Sequence, residues 1–194
     1  MAIRVYIDQG HNPSSYNTGA EGNGFFEQDI TYDIGVRLFR LFEGNPAFEA
    51  RLSRPTPETV LGTDNSSSLV ARVREANAFG ADLFLSLHTN AAASAQATGS
   101  EALVYGSGAT VAVTVATDIL AQLNLITGLR NRGIVYRPGL YVLRRTAMPA
   151  VLVEMGFITN PYDAELMAYS PQLFALGIYR GVLQYYGLLG INGA

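Results

Sequence analysis

Apolar residues recur along this chain with two alternating periods. Residues 3–8, Ile-Arg-Val-Tyr-Ile-Asp, are rich in β-branched and aromatic side chains and are closed by Gly10, the pattern of a short buried strand. Residues 82–87 and 150–153 are more apolar still, residues 48–53 and 100–105 continue the series, and residues 141–143 add a candidate short strand. Between these runs the period lengthens. Ile30, Ile34, Leu38 and Leu41 put one apolar face on a helix over residues 26–42, which the Gly-Asn-Pro of residues 44–46 stops. Ser66 to Ser68 cap a helix running to about Phe79, with Leu69, Val73 and Ala76 facing inward. Residues 109–125 carry Val111, Val115 and Ile119 on one side, and Pro171 opens a closing helix that reaches residue 186. Residues 9–24, rich in Gly, Asn and Ser, read as a long loop, a kind of segment that is often functional in compact domains.

Strands alternating with helices predict an α/β domain whose mainly parallel sheet is covered by helices on both faces. The 194 residues suit one domain, expected over residues 1–189, with residues 190–194 as a tail or linker stub. With 48% hydrophobic and 15% charged residues, disorder is a poor reading. A net charge of −3 leaves no electrostatic footprint for nucleic acid, and no Lys/Arg run grips an anionic membrane. No apolar stretch reads as long enough to span a bilayer, so no membrane insertion is expected. The absence of cysteine excludes disulfides, thiolate metal sites and a cysteine nucleophile. Met1 runs straight into the first strand without the basic start and apolar core of a signal peptide. Either export follows another route, or the chain is a trimmed catalytic domain.

Candidate chemistry centres on two histidines, the only ones present. His11 follows the first strand, His88 ends the run at 82–87, and Glu154 ends the run at 150–153. Ligands in open α/β sheets gather outside the carboxyl ends of the strands, so these three can converge on one edge. Glu27 stands one turn before Ile30 and continues its apolar face, where a carboxylate is costly without a partner. A metal cation is one such partner. Two imidazoles and one carboxylate make a catalytic zinc set with an open fourth position, leaving Glu154 to handle protons. Each residue taken singly has an ordinary alternative: a satisfied histidine, a carboxylate complementing a helix dipole, an exposed loop acid. It is their coincidence of position that points to a metal. Asp8 is a candidate to orient an imidazole, while Asp29 and Asp33 fall off the apolar face and read as solvated. Ser86 stands near His88 in sequence and raises a Ser/His pair, but a serine hydrolase is not the reading favoured. No phosphate-binding glycine loop of the usual spacing is present, and the aromatics lack the basic companions of a base-stacking surface.

At these positions the chain resembles the zinc-dependent N-acetylmuramoyl-L-alanine amidases of the type 3 class. The resemblance covers nearly the whole chain in order. Ile7-Asp-Gln-Gly-His11 is similar to the first zinc motif, and Phe26-Glu-Gln-Asp29 stands where the family has its glutamate ligand. Leu52-Ser-Arg-Pro55 resembles a Thr-Arg strand end, and Arg72 with Asn77 an Arg-then-Asn helix. Leu85-Ser-Leu-His-Thr-Asn-Ala91 and Pro149-Ala-Val-Leu-Val-Glu-Met-Gly-Phe-Ile-Thr-Asn160 match the second histidine motif and the catalytic segment, and these two are the specific ones. The resemblance implies one Zn²⁺ on His11, Glu27 and His88, Glu154 as catalytic acid–base, and a twisted mixed sheet of about six strands. It implies hydrolysis of the amide joining the lactyl group of N-acetylmuramic acid to L-alanine in peptidoglycan, at the bacterial cell wall, by an autolysin or endolysin. Asn12-Pro13 replaces the family's usual glycine pair and Gln28 its usual lysine, departures that bear on loop shape and substrate contacts. On this reading a polymer strand lies across an edge site lined by residues 9–24 and 89–99. Asn90, Arg132, Arg137 and Arg144 are then candidate substrate contacts, the arginines as partners for stem-peptide carboxylates, with solvated surface charge as the alternative. The rivals are a zinc peptidase cutting within the stem peptide, a non-catalytic wall-binding module on the same fold, and an unrelated α/β protein with incidental histidines. A wall-binding domain outside this chain is a possible partner.

Overall fold

The computed structural model describes residues 1–190, so the part of the expected tail beyond Gly190 lies outside the described residues. Strand β1 (Ile3–Gln9) is flanked by β4 (Phe48–Leu52) and β5 (Leu83–Asn90), and β5 in turn by β8 (Ala150–Phe157); these four run parallel. Beyond β8 the direction reverses: β6 (Ser100–Val104) is antiparallel to β8 and parallel to the edge strand β7 (Asn131–Tyr136). The six-stranded order β4-β1-β5-β8-β6-β7 is the mixed, largely parallel sheet expected.

Both faces are covered, which is why the central strands are apolar at nearly every position. Alternation along each strand divides the side chains. Val5, Ile7, Leu85, Leu87, Val151 and Val153 pack with helices α1 (Glu27–Glu43), α3 (Thr110–Thr127) and α6 (Pro171–Tyr185). Tyr6, Phe84, Leu103 and Leu152 face the other way, against α2 (Asn65–Phe79) and α4 (Tyr141–Arg145). Helix α2 begins slightly before the expected serines: the Asp64 side chain accepts from the Ser67 amide, and the Ser67 hydroxyl accepts from the Asp64 amide.

Helix α3 is long and apolar enough to cross a membrane, contrary to the expectation that no such stretch exists. Its apolar side is engaged in the core. Gly177 of α6 lies so close to Leu123 of α3 that an added Cβ would stand 2.7 Å from the Leu123 Cα, and Gly181 meets Ile119 in the same way. Other elements differ from expectation too. Residues 141–143 start the short helix α4 rather than a strand. The expected loop at 9–24 ends in a small hairpin of β2 (Glu21–Gly22) and β3 (Phe25–Phe26). Strand β7 and helix α5 (Pro161–Tyr169) were not foreseen; α5 starts at a proline behind Asn160, whose side chain accepts from the Asp163 amide.

Candidate metal centre

The exits of β1 and β5 lie side by side, and a glycine permits it. The Gly10 amide donates to the Leu87 carbonyl at 3.0 Å, and a Cβ on Gly10 would stand 2.5 Å from that oxygen and 2.6 Å from the His88 ring. His11 then turns with φ of 69°, a left-handed conformation that costs a non-glycine residue free energy and needs support. Arg72 supplies much of it. Its buried guanidinium donates to the carbonyls of Gln9 (2.6 Å) and His11 (2.7 Å), to the Asn12 side chain (3.2 Å) and to the Asp8 carboxylate. Arg54, also buried, donates to the Gln28 carbonyl at 2.9 Å, tying the first turn of α1 to the same loop.

Asp8 therefore does not orient an imidazole, as the sequence suggested. Its carboxylate is shared between Arg72 and the Ser86 hydroxyl at 2.7 Å, so that serine, which shares a strand face with His88, serves Asp8 instead. Burial alone would raise its pKa, but the Arg72 charge and these hydrogen bonds hold it below the usual carboxylate range.

Glu27 is the first residue of α1, and the helix presents it to both histidines. Its Oε1 accepts from the Thr89 amide at 2.9 Å and lies 3.1 Å from His88 Nδ1. Its Oε2 accepts from the Ala20 amide at 2.8 Å and lies 3.2 Å from His11 Nε2. The other nitrogen of His11, Nδ1, sits 3.2 Å from the Asn17 carbonyl, a partner that fixes the ring with Nε2 turned inward. Gly19 closes the pocket from behind, since a Cβ there would fall 2.8 Å from Glu27 Oε2 and 2.9 Å from His11. Burial raises the Glu27 pKa, but the hydrogen bonds and positive charge of the two imidazoles outweigh it and leave the carboxyl well below its usual range. Burial likewise lowers the His88 pKa, and the hydrogen bond and charge of Glu27, with Glu154 and Asp8 behind it, turn the net shift upward.

One ligand atom from each of His11, Glu27 and His88 falls within 4.8 Å of the others. The two histidine–glutamate contacts fall on the two oxygens of one carboxylate, at 3.1 and 3.2 Å, so the three side chains converge on one place with the nitrogen and oxygen donors that zinc accepts. Two imidazole nitrogens and one carboxylate oxygen, braced by backbone amides and the Asn17 carbonyl, can hold a metal ion.

Glu154 completes the arrangement from β8. It is the register partner of His88 on one side and of Glu101 on the other, so the three side chains share one face of the sheet. Its Oε2 is buried and has no hydrogen-bond partner among the described residues. Burial, with the nearby charges of Glu27 and Glu101 and against that of His88, pushes its pKa up to about 7. A carboxyl poised near neutrality beside a metal-binding cluster is suited to exchange protons.

Glu101 was not foreseen. It accepts from Asn90 Nδ2 at 2.9 Å and from Arg132 Nε at 3.1 Å, and the Arg132 guanidinium lies 4.9 Å from the centre of the Phe157 ring. A glutamate inside the apolar run at 100–105 is the only sequence signal that marked it. Asn90 and Arg132 thus meet on Glu101, the register partner of Glu154, whereas Arg144 lines a separate cavity with Tyr105 and Thr110, and Arg137 is exposed. Behind the cluster, His11, His88, Arg72 and Tyr141 line a cavity of about 140 Å³.

Residues 5–184 match the family described as N-acetylmuramoyl-L-alanine amidase (Amidase_3). The chain belongs to that amidase family. The amidase CwlM of Bacillus licheniformis is 35% identical over 190 residues, covering 96% of this chain and 70% of that protein. LytC of Bacillus subtilis, also named as an amidase, is 35% identical over 185 residues, but these make up only 35% of its length. Among solved structures, an amidase from Clostridium difficile 630 superposes with a TM-score of 0.86 at 28% identity, covering 97% of this chain and 99% of that one. The catalytic domain of CwlV from Bacillus (Paenibacillus) polymyxa does so with 0.83, also at 28% identity, over 96% and 99%. Membership in the amidase family removes the reading of an unrelated protein with incidental histidines.

Proposed function

We propose that this chain hydrolyses the amide between the lactyl group of N-acetylmuramic acid and L-alanine in peptidoglycan, at the bacterial cell wall. In this reading His11, Glu27 and His88 hold one Zn²⁺ and Glu154 is the acid–base. The observation that carries it is the buried, unpartnered carboxyl of Glu154 in register with a histidine of the metal-binding cluster.

When bound, zinc would supply Lewis acidity toward both the attacking water and the amide carbonyl. The remaining work falls to the chain. Glu27 and the two imidazoles fix the place of attack, and the amides of Ala20 and Thr89 keep the Glu27 carboxylate aimed. Glu154 in its ionised form accepts a proton from the water as its oxygen attacks the carbonyl carbon. In its protonated form it then delivers that proton to the nitrogen of L-alanine as the C–N bond breaks. One carboxyl serves both steps because its pKa near 7 makes either form accessible at neutral pH. Asn90 and Arg132 are the substrate contacts we favour, because both bind Glu101, the register partner of Glu154; Arg144 faces a different cavity.

A zinc peptidase acting within the stem peptide would use the same four residues, so the products decide. Purified peptidoglycan treated with the protein should release new L-alanine amino termini, detected by mass analysis. Chelation should stop the release and zinc restore it. Glu154→Gln should retain the metal and lose cleavage. Other new amino termini would establish the peptidase instead, and full activity after removal of the metal would overturn the metal assignment.

A further inference from the structure

Four successive strands carry polar groups to one edge of the sheet in a single line. His88 of β5 pairs with Glu154 of β8, Glu154 pairs with Glu101 of β6, and the Glu101 carboxylate binds Arg132 of β7. The row has a polarity. One end holds the metal-binding cluster, where the carbonyl of the scissile amide must lie. Glu154 comes next, and the nitrogen it protonates must face it. The peptide that begins at that nitrogen is thereby directed away from His11 and across β6 and β7, while the sugar lies toward β1.

The groups on the peptide side are built in advance. Both oxygens of Glu101 are engaged, Oε1 by Asn90 Nδ2 at 2.9 Å and Oε2 by Arg132 Nε at 3.1 Å. The Glu101 side chain is 16% exposed and that of Arg132 34%, so the carboxylate is the anchor and the guanidinium the presented group. Arg132 is held on two further sides, by Nη1 to the Thr98 carbonyl at 3.3 Å and by its stacking over Phe157. Its Nη2 has no hydrogen-bond partner among the described residues. Three restraints on a surface arginine exceed what a single solvated ion pair would need.

Resting on the amidase reading above, we propose that Glu101 is a positioning residue that sets Arg132 as a receptor for a carboxylate on the leaving peptide. Strands stand about 4.8 Å apart, so β7 is about 10 Å from β8, roughly the reach of three extended residues at about 3.3 Å each. The carboxylate read by Arg132 therefore belongs to the second or third residue after the scissile bond. Asn90, held by Glu101 with its own Oδ1 accepting from the Ala91 amide, borders the path in between.

The test uses the zinc-loaded protein and two muramyl-peptides that differ only in having a carboxylate or a carboxamide at the second and third residues. The unmodified protein should favour the carboxylate substrate by at least about tenfold in kcat/KM, expressed in KM, as suits a charged hydrogen bond. Arg132→Gln should erase that preference, chiefly by raising KM for the carboxylate substrate. Glu101→Gln, which turns an amide toward two donors, should reduce the preference without loss of bound zinc, and Glu101→Asp should restore part of it. Equal loss on both substrates with either variant, loss of zinc from Glu101→Gln, or no preference in the unmodified protein would overturn the proposal. Release of termini other than L-alanine from both substrates would instead overturn the amidase reading on which it rests.

Discussion

Removing the charge of Glu154 should stabilise the protein while it destroys catalysis. Burial above all pushes this carboxyl up from its ordinary value of 4.5 to about 7. A group whose folded pKa lies above its unfolded one favours folding in its protonated form. Its contribution is fully present below about pH 4.5 and is lost as pH rises through 7. The shift is about 2.5 units, each worth about 1.4 kcal/mol, or roughly 3 kcal/mol in all. Glu154 borders an open site, so solvent reduces this to about 2 kcal/mol. Glutamine imitates the protonated acid at every pH. In chelator-treated protein, Glu154→Gln should therefore be more stable than the parent by about 2 kcal/mol at pH 8 and nearly equal to it at pH 4. Urea unfolding at the two pH values measures both differences. A variant that gains no more at pH 8 than at pH 4 would refute the burial of an uncompensated carboxylate, and with it the physical basis for the acid–base role.

Arg72→Met leaves Asp8 buried without its cation and should cost about 3–5 kcal/mol in urea unfolding. Because Arg72 also holds the His11 carbonyl, zinc affinity should fall with it, and adding Asp8→Asn should recover stability more than metal binding. In pH–rate profiles kcat/KM should rise with pH as Glu154 ionises to act as base, with a midpoint at or below about 7, because a bound cation favours the carboxylate. Gly10→Ala puts a methyl against the Leu87 carbonyl and the His88 ring, and zinc titration should show affinity reduced by at least about tenfold.

The parts of the site that announce themselves are those that break a strong local pattern. Glu27 was legible because it continues the face of Ile30, Ile34 and Leu38, and α1 buries all four. His88 and Glu154 stood at the ends of runs too apolar to be anything but central strands, and those strands proved to be register neighbours. What failed to show depends on partners distant in sequence. Nothing near Asp8 says that its cation is Arg72, and an acid three residues before a histidine invites the wrong pairing. Tyr141 to Leu143 span too few residues for a period of two to be told from one of 3.6. Strand β7 is an edge strand interrupted by Gly133 and half-exposed, so it lacks the apolar run that marked β5 and β8. Glu101 gains its meaning only from the antiparallel register of β6 with β8, which no local pattern encodes.

Strand β8 is the last of the sheet in the chain, yet it lies in its interior, between β5 and β6. During synthesis the segments bearing His11, Glu27 and His88 emerge well before it, as does the pair β6 and β7. Until β8 slots between them, that pair has no place beside β5, and the cluster has no carboxyl to work with. If Glu154 is the acid–base proposed above, hydrolytic competence arrives with the closing of the sheet, and a molecule severed ahead of Ala150 lacks that carboxyl.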